Sequence, residues 1–334
     1  MLVRSLLLCG LSSALLFTSC RKEAPQVERP FLADTLAGDS MALRLAVTPT
    51  MGNLPFYYAR YAGIYKDLGL KLSFRCYDGQ LDCDSALLGG STDGATTDLV
   101  RLHEYSHRNP VLIGIMGYPE CWQLVSSAKL RAKKITSLKA RTVGIARLSS
   151  SEYYMQKAFA SAGMDFRTDA FVPQINSYRL RAEMLDNNQV NAAVLPEPYA
   201  TMARQKGHRR LYSSSCDTAS LSCLVFRSAV LSDSMHRQQV QLLVKAYNRA
   251  VEELNAKGKA ACSEILFNAY RLPQEVIDSL RLPQFVPAAP ISSEAVRSAA
   301  VFLREDERFE HYMQPQHLVD SVLLTNIYGR SVQK

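Results

Sequence analysis

The chain has 334 residues, of which 47% are hydrophobic and 21% are charged, and its formal net charge at pH 7 is +8. This length is too great for one simple core and indicates a globular protein with more than one lobe. The lysines and arginines are scattered and no nucleic-acid-binding motif is present, so nucleic acid is not expected as a partner. The sequence also lacks the G-x-S-x-G, Walker A and G-x-G-x-x-G patterns of common hydrolases, NTPases and dinucleotide-binding enzymes.

Residues 1–19 have the pattern of an export signal. Arg4 supplies a positive charge, and residues 6–17 form an apolar stretch that is too short to span a bilayer as a mature helix. Thr18 and Ser19 then precede Cys20, an order that resembles a bacterial lipoprotein cleavage site. The sequence therefore predicts that Cys20 becomes a lipidated N-terminus. The alternative is an ordinary secretory signal with an incidental cysteine.

Residues 20–41 are predicted to form a flexible tether, because they are rich in charged residues and proline and show little periodicity. No later stretch approaches transmembrane length, so the rest of the chain is expected to lie outside the bilayer.

Residues 43–98 predict alternating strands and helices. An apolar alternation at 43–47 favours a strand, and Pro49 and Gly52 then interrupt it. Asn53 is a candidate helix N-cap, and Pro55 is tolerated in a first helical turn. A strand at 70–75, a helix around 85–88 and a short segment at 94–98 follow. This alternation is typical of a parallel α/β sheet.

The alternation continues to about residue 227, after which the chain becomes helical. Strands are predicted at 111–117, 121–126, 142–146, 192–195 and 221–227, and helices at 99–107, 149–163 and 197–206. Further helices are predicted at 234–256, 260–270, 273–279, 293–304 and 315–323.

Several of these segments resemble one protein family. Its elements include N-x-P-x-Y-x-A from Asn53, G-I-Y-K-D-L-G-L from Gly63 and A-L-L-G-G-S-T-D-G-A from Ala86. A second part, N-A-A-V-L-P-E-P-Y, starts at Asn191. In this order and spacing they resemble periplasmic solute-binding proteins of ABC importers, in the branch serving nitrate, sulfonates, taurine and thiamine-pyrimidine precursors.

The resemblance implies a type II two-lobed α/β fold, with a ligand cleft between the lobes and C-terminal helices packed on lobe one. It places the first part of lobe one at 42–125, lobe two at 126–222 and the return to lobe one at 223–334. The implied function is capture of a small molecule by hinge closure. The implied solute is a sulfonate- or nitrate-like anion or a thiamine pyrimidine precursor.

The same resemblance implies a monomeric, non-enzymatic protein without a cofactor. Its partners would be an ABC permease and ATPase, and the lipid on Cys20 would hold it at the periplasmic or cell-surface side of a membrane. An alternative is a biosynthetic enzyme built on the same fold.

Candidate ligand-binding residues follow from the topology, because parallel sheets bind ligands at the carboxyl ends of their strands. Two facing lobes therefore direct attention to the loops at 48–53, 96–98, 149–151 and 196–199. The predicted ligand-binding residues are Thr50, Asn53, Tyr57, Thr97, Asp98, Trp122, Ser149, Ser150, Ser151, Glu197 and Tyr199.

Structural roles compete with several of these assignments. Ser149 and Glu152 have the spacing of a capping box, and Asp98 can cap the helix that follows it. Glu197 lies in a first helical turn, where acidic residues are commonly structural. Trp122 can stack on a flat ligand or pack as a buried hinge residue.

One enzyme motif is present, because residues 103–107 read H-E-x-x-H. On a helix, His103 and His107 would share one face and bind zinc, with Glu104 as general base of a metallopeptidase. The surrounding residues are polar and no third ligand follows at a familiar spacing. Exposed helix histidines are therefore the preferred interpretation.

Two cysteine pairs are closely spaced, Cys76 with Cys83 and Cys216 with Cys223. In an oxidising compartment each pair could close a small loop, with a stabilisation of about 2.5 kcal/mol. Cys121 and Cys262 are then either free and buried or bridged to each other. Zinc is disfavoured because no C-x₂-C spacing occurs.

Overall fold

The structure, a computed structural model, describes residues 34, 36, 38–106, 108, 111–214, 220–313, 317–320 and 322–324. Two five-stranded sheets organise this part of the chain, with strand orders β2-β1-β3-β10-β4 and β7-β6-β8-β5-β9. We call the regions around them lobe one and lobe two. The strands are β1 (Leu43–Val47), β2 (Leu72–Cys76), β3 (Gly94–Asp98), β4 (Leu112–Gly117), β5 (Trp122–Ser126), β6 (Arg141–Gly144), β7 (Ala170–Phe171), β8 (Ala192–Pro196), β9 (Arg209–Ser213) and β10 (Ser222–Arg227).

Each sheet contains one strand that runs against the other four. In lobe one it is β10, which pairs antiparallel with β3 and β4. In lobe two it is β5, which pairs antiparallel with β8 and β9. Both are the strands by which the chain enters from the other lobe. The chain therefore crosses twice, between β4 and β5 and between β9 and β10.

The predicted lobe boundaries differ slightly from these crossings. All of β5 lies in the lobe-two sheet, so this lobe begins at Trp122 rather than at residue 126. The return strand begins at Ser222, one residue after the predicted start of the strand and one residue before the predicted return to lobe one at 223. An apolar run predicts a strand, but its side chains do not reveal which sheet the strand joins.

The helices cover the sheets and follow the predicted order. They are α1 (Leu54–Tyr61), α2 (Ile64–Asp67), α3 (Gln80–Leu88), α4 (Leu99–Tyr105), α5 (Ser150–Ala160), α6 (Phe166–Asp169), α7 (Tyr178–Asp186), α8 (Tyr199–Gln205), α9 (Ser228–Ser232), α10 (Ser234–Lys257), α11 (Ser263–Asn268), α12 (Gln274–Ser279) and α13 (Ser293–Arg304). No helix in the described ranges combines the length and apolarity needed to cross a bilayer.

The two longest C-terminal helices, α10 and α13, pack on lobe one, as the resemblance implied. α10 lies against α1, and α13 lies against α4. The sequence explains α13 well, because Ser292 caps it by accepting a hydrogen bond from Ala295 N at 3.1 Å. Its apolar residues, including Val296 and Leu303, form one buried face. Burial of each large apolar side chain contributes about 1.5–3 kcal/mol.

The last predicted helix, at 315–323, falls partly outside the described residues. Within the described part, Val319 instead forms a parallel bridge with Gly114 on β4. The chain there extends the edge of the lobe-one sheet.

The core of lobe two encloses an arginine as well as apolar side chains. The Arg181 side chain is fully buried, and its guanidinium donates to Ile175 O at 2.8 and 3.1 Å and to Val194 O at 2.5 Å. Burial lowers the pKa of Arg181 to about 10, while the neighbouring Tyr178 opposes this shift. Arg181 thereby fixes α7 against β8 and holds Tyr178 at the start of α7.

Candidate functional site

The facing edges of the two lobes are in direct contact. Met51 N donates to Glu197 O at 2.9 Å, and the Arg101 guanidinium donates to Arg147 O at 3.2 Å. Gly79 and Ser177 also form an antiparallel bridge between the lobes. The loops that follow β1, β3, β6 and β8 all meet at this boundary, because the carboxyl ends of parallel strands share one edge of a sheet. The lobes are therefore closed on one another.

Asp98 caps α4 and also forms a hydrogen bond to lobe two. Its Oδ1 caps α4 by accepting from Arg101 N at 3.1 Å, and its Oδ2 accepts from Ser150 N of lobe two at 3.0 Å. Burial raises the pKa of Asp98, while Arg101 and the hydrogen bonds from Ser150 N and Arg101 N oppose the rise. The carboxyl group of lobe one thus lies at the N-terminus of α5 in lobe two, a position that favours negative charge.

A buried polar network supports the Asp98 loop from below. Asp84 accepts from the Thr97 hydroxyl at 2.9 Å and from Gln80 Nε2 at 3.0 Å, and it lies 3.3 Å from Arg101 Nε. Burial raises the pKa of Asp84 to about 6, against the opposing effect of Arg101. Thr97 therefore belongs to this network. Asp84 and Arg101 were not predicted from the sequence, since no local pattern marks a long-range ion pair.

An aromatic cluster lines the boundary on the lobe-two side. The Trp122 ring stacks on Tyr154, with centroids 6.3 Å apart and an interplanar angle of 22°. Trp122 also packs edge-on against Tyr178, with centroids 6.0 Å apart, and Tyr178 in turn contacts Tyr199. Trp122 is 5% exposed, and its Nε1 has no hydrogen-bond partner among the described residues. Tyr154 was not predicted as a site residue. It follows Ser150 by one helical turn, and this spacing indicates that the two residues share a face of the helix.

Asn53 is buried and does not cap α1. Its Nδ2 instead donates to Thr48 O at 3.0 Å and to Thr96 Oγ1 at 3.2 Å, joining the loops after β1 and β3. Its Oδ1 has no partner in the described structure. The N-cap prediction was wrong because the preceding turn, Met51–Asn53, is already a 3₁₀ helix that places Asn53 in a helical conformation.

The three serines at the start of α5 have different roles. Ser149 Oγ accepts from Ser151 N, and both Ser149 and Ser151 hydroxyls bond to Ala146 O. These two hydroxyls are therefore occupied within their own loop. Ser150 alone faces lobe one through its N–H, and its buried Oγ has no partner among the described residues. The expected capping box is shifted, since Glu152 accepts from Leu148 N rather than from Ser149 N.

Glu197 and Tyr57 are held by neighbours in the protein. The Glu197 carboxylate accepts from Gln123 Nε2 at 2.7 Å, from Thr201 N at 3.0 Å and from Arg204 at 3.0 Å. Glu197 thus has a structural role, although it precedes α8, which begins at Tyr199, rather than lying in the first turn. Tyr57 is 1% exposed and packs edge-on against Phe74 and Tyr270.

Glu120, which was not predicted from the sequence, lies in the first crossing. It is 4% exposed, and its Oε2 accepts from Gly52 N at 3.1 Å. Burial raises the pKa of Glu120 to about 8, although hydrogen bonding from Thr50 and Gly52 opposes the rise. Thr50 is itself buried beside this carboxyl group. The crossing therefore contains a carboxyl group whose ionisation is disfavoured by burial.

The H-E-x-x-H segment does not present exposed histidines, so that interpretation was wrong. His103 is fully buried, with Nδ1 2.5 Å from the Tyr312 hydroxyl and Nε2 2.9 Å from Val296 O. Burial lowers the pKa of His103 to about 4. His107 lies outside the described residues, and within those residues no three His, Cys, Asp or Glu side chains form a possible metal site.

The two predicted disulfides are not formed. Cys76, Cys83 and Cys223 have free thiols, as does Cys262. Cys83 and Cys223 are buried in the lobe-one core, whereas Cys76 lies beside the Tyr57 hydroxyl at the end of β2. Sequence spacing alone does not show that one thiol of a pair faces the core. Cys216 and Cys20 lie outside the described residues.

Two α/β lobes, two crossings and a site built from the loops at their facing edges define the fold of periplasmic binding proteins. The chain belongs to the NMT1/THI5-like family, whose model matches residues 51–261. No curated protein matches the sequence.

Solved structures share this fold at low sequence identity. The alkanesulfonate-binding protein SsuA from Xanthomonas axonopodis pv. citri, bound to MOPS, is 15% identical with a TM-score of 0.70, over 84% of this chain and 98% of that chain. The nitrate-binding protein NrtA from Synechocystis is 12% identical with a TM-score of 0.71, over 88% and 90% of the two chains. A ligand-binding component of an ABC-type import system from Staphylococcus aureus, with zinc bound, is 15% identical with a TM-score of 0.71, over 87% and 99%.

Proposed function

We propose that this protein is the solute-binding component of an ABC importer and captures a small molecule by closing its two lobes. The observation that carries this proposal is a set of buried polar atoms without partners in the described structure, on both sides of the lobe boundary. They are Asn53 Oδ1 in lobe one and Ser150 Oγ and Trp122 Nε1 in lobe two. Buried polar groups are normally hydrogen-bonded, so this arrangement suits a polar ligand between the lobes.

Closure would follow from the two crossings and the contacts between the facing loops. Opening would break the hydrogen bonds from Ser150 N to Asp98 and from Met51 N to Glu197 O, each with a net value of about 1 kcal/mol. A solute that contacts both lobes binds the closed state better and shifts the population toward it. The permease and ATPase would then recognise the closed form.

Of the two solute classes considered, the geometry favours a planar molecule with N–H donors over a small anion. The N-terminus of α5 would suit an anion, but the Asp98 carboxyl group already lies there. Trp122, Tyr154 and Tyr178 form an aromatic cluster whose chemistry suits a flat heterocycle, and Asn53 Oδ1 offers an acceptor. A thiamine pyrimidine precursor has this chemistry, whereas nitrate and sulfonates do not.

Calorimetric titration with MOPS, nitrate and hydroxymethylpyrimidine tests this proposal. We expect the pyrimidine to bind and to raise the melting temperature. Asp98→Asn should weaken binding of the pyrimidine and strengthen binding of the anions. Trp122→Phe should weaken binding of the pyrimidine about tenfold, which corresponds to about 1.4 kcal/mol. Phe171→Leu, at an exposed aromatic residue of lobe two, is the matched control. Tighter binding of the anions to the unaltered protein would contradict this choice of solute.

We also propose that the protein is exported and anchored by lipid on Cys20, as a monomer. Several acyl chains would give stable anchoring, at about 0.8 kcal/mol for each buried CH₂ group. A Cys20→Ser variant should therefore move from the membrane fraction to the soluble fraction. Retention of this variant in the membrane would contradict the anchor. No enzymatic function is proposed, because His103 of the H-E-x-x-H segment is bound inside the protein.

A further inference from the structure

A basic segment links the first two strands of lobe two, β5 and β6. The lysines and arginines are scattered along the chain as a whole, yet residues 127–141 contain six of them and no aspartate or glutamate. All six residues are exposed: Lys129, Arg131, Lys133, Lys134, Lys139 and Arg141. Like charges at this density repel one another, so the segment gains from a counter-charge outside the chain.

The apolar residues of the segment hold it against the body of lobe two. Leu138 is fully buried in the lobe-two core, and Leu130 and Ile135 pack partly against that core. Two short 3₁₀ turns, Ala128–Leu130 and Ile135–Leu138, give the segment a regular backbone. The cations are therefore presented to solvent from a fixed surface rather than from a loose loop.

The described structure neutralises little of this charge. Lys139 lies 3.4 Å from Asp169, and this is the one ion pair that any of the six cations forms among the described residues. Asp186, which ends α7, is already paired with Lys206 at 2.5 Å. Within the described ranges, five of the six cations thus have no acidic partner.

The segment lies at the opposite end of the lobe-two sheet from the solute site. Ser127 N donates to Asn191 O at 2.9 Å, and Asn191 N donates to Thr142 O at 2.8 Å, which places the segment beside the amino ends of β6 and β8. Arg209, also exposed, starts β9 opposite Ser126 and adds another cation there. The solute site is built on the carboxyl ends of the same strands. We call the surface formed by Arg209 and the six cations the distal basic face.

An exposed aromatic side chain accompanies the distal basic face. Strand β7 pairs with β6 at the edge of the sheet, with Ala170 opposite Arg141, and the next residue, Phe171, is 66% exposed. Exposed cations beside an exposed apolar ring are typical of surfaces that bind anionic lipid, because the cations attract the headgroups and the ring enters the interface. Surfaces that bind single-stranded nucleic acid instead carry several aromatic rings for base stacking.

We propose, on the basis of the lipid anchor proposed for Cys20, that the distal basic face docks on an anionic lipid bilayer. The anchor would hold the protein beside the membrane and raise the effective concentration of the face there. At physiological ionic strength the Debye length is about 8 Å, so only the cations that face the bilayer contribute. Lobe two would then lie on the bilayer with its solute-binding edge directed away from the lipid, which leaves the cleft accessible to solute.

Co-sedimentation of the mature chain with phospholipid vesicles tests the proposal. The chain carries Cys20→Ser, so that acyl chains do not contribute to binding. We expect it to bind vesicles of phosphatidylcholine with about 30% phosphatidylglycerol, and to bind vesicles of phosphatidylcholine alone at least about tenfold more weakly. Raising the salt concentration from about 50 mM to about 500 mM should release the protein, because the charges are then screened.

Two lysine variants, matched in charge, locate the binding surface. Lys133→Gln/Lys134→Gln should weaken vesicle binding about thirtyfold, since each cation at an anionic surface contributes a factor of about five. Lys66→Gln/Lys245→Gln, at exposed positions of α2 and α10 in lobe one, is the control and should bind as the unaltered chain does. Phe171→Ser should weaken binding without changing its dependence on salt. Equal melting temperatures would show that the variants are folded.

Three results would overturn the proposal. They are equal binding to the two kinds of vesicle, an unchanged affinity in Lys133→Gln/Lys134→Gln, and binding to a DNA duplex without binding to the anionic vesicles. Fractionation of cells in about 500 mM salt tests the anchor separately, because salt releases a protein held by its charges but not one held by acyl chains. Release of the unaltered protein by salt would contradict the anchor and not the basic face.

Discussion

The buried acid in the first crossing gives a quantitative prediction about stability and pH. Glu120 has an ordinary pKa of 4.5, and burial in the folded protein raises it to about 8. Between these values the folded protein retains the proton that the unfolded chain has lost. The free energy of unfolding therefore falls as the pH rises from 4.5 to 8 and levels off above 8.

The magnitude follows from the size of the shift. A difference of about 3.5 pKa units, at about 1.36 kcal/mol per unit, corresponds to a loss of roughly 4–5 kcal/mol across the full window. Glu120→Gln replaces the acid by a neutral group of the same shape and removes this loss. The variant should match the unaltered protein near pH 4.5 and become more stable than it as the pH approaches 8.

Urea unfolding at several pH values between 4.5 and 8.5 measures this difference directly. Asp84, whose pKa is also raised by burial, titrates in the same window but contributes equally to both proteins. Glu275→Gln serves as the control for removal of an exposed acid. If the stability curves of the unaltered protein and Glu120→Gln run parallel over this range, the explanation given for Glu120 is wrong.

Two further variants test the buried polar groups. The pKa of His103 is lowered from 6.5 to about 4, so the unfolded chain binds a proton more readily than the folded protein between these values. The free energy of unfolding should fall by roughly 3 kcal/mol as the pH drops from 6.5 to 4, and urea unfolding of His103→Gln should not show this fall. The same pH dependence in both proteins would contradict the role given to His103. Arg181→Met should lower the free energy of unfolding by about 3 kcal/mol, because the Ile175 and Val194 carbonyls lose their hydrogen-bond donor. A change below about 0.5 kcal/mol in urea unfolding would contradict a stabilising role for the Arg181 guanidinium.

Much of the architecture could be predicted because it depends on local patterns. The apolar alternation of β1 and the cap and apolar face of α13 are encoded in neighbouring residues, and both elements lie at the predicted bounds. The order of strands and helices then favoured two lobes. The resemblance added the crossings and the packing of the C-terminal helices.

The details of the site depend on contacts between distant residues, which local patterns do not contain. Asp84 on α3 pairs with Arg101 on α4. His103 becomes buried because Tyr312, more than 200 residues later, packs over it. Glu120 follows a proline in a short crossing, with nothing nearby to mark it as buried. Asp98 was predicted at the boundary, but its bond to Ser150 N requires the folded arrangement of both lobes.

Native mass spectrometry of the mature protein, followed by denaturing release of any bound molecule, tests the central claim most directly. The account predicts a small molecule held by the folded protein and released on unfolding, and it predicts weaker retention in Trp122→Phe. A protein that retains no small molecule and shows no shift in melting temperature with any of the tested solutes would contradict the solute-binding function.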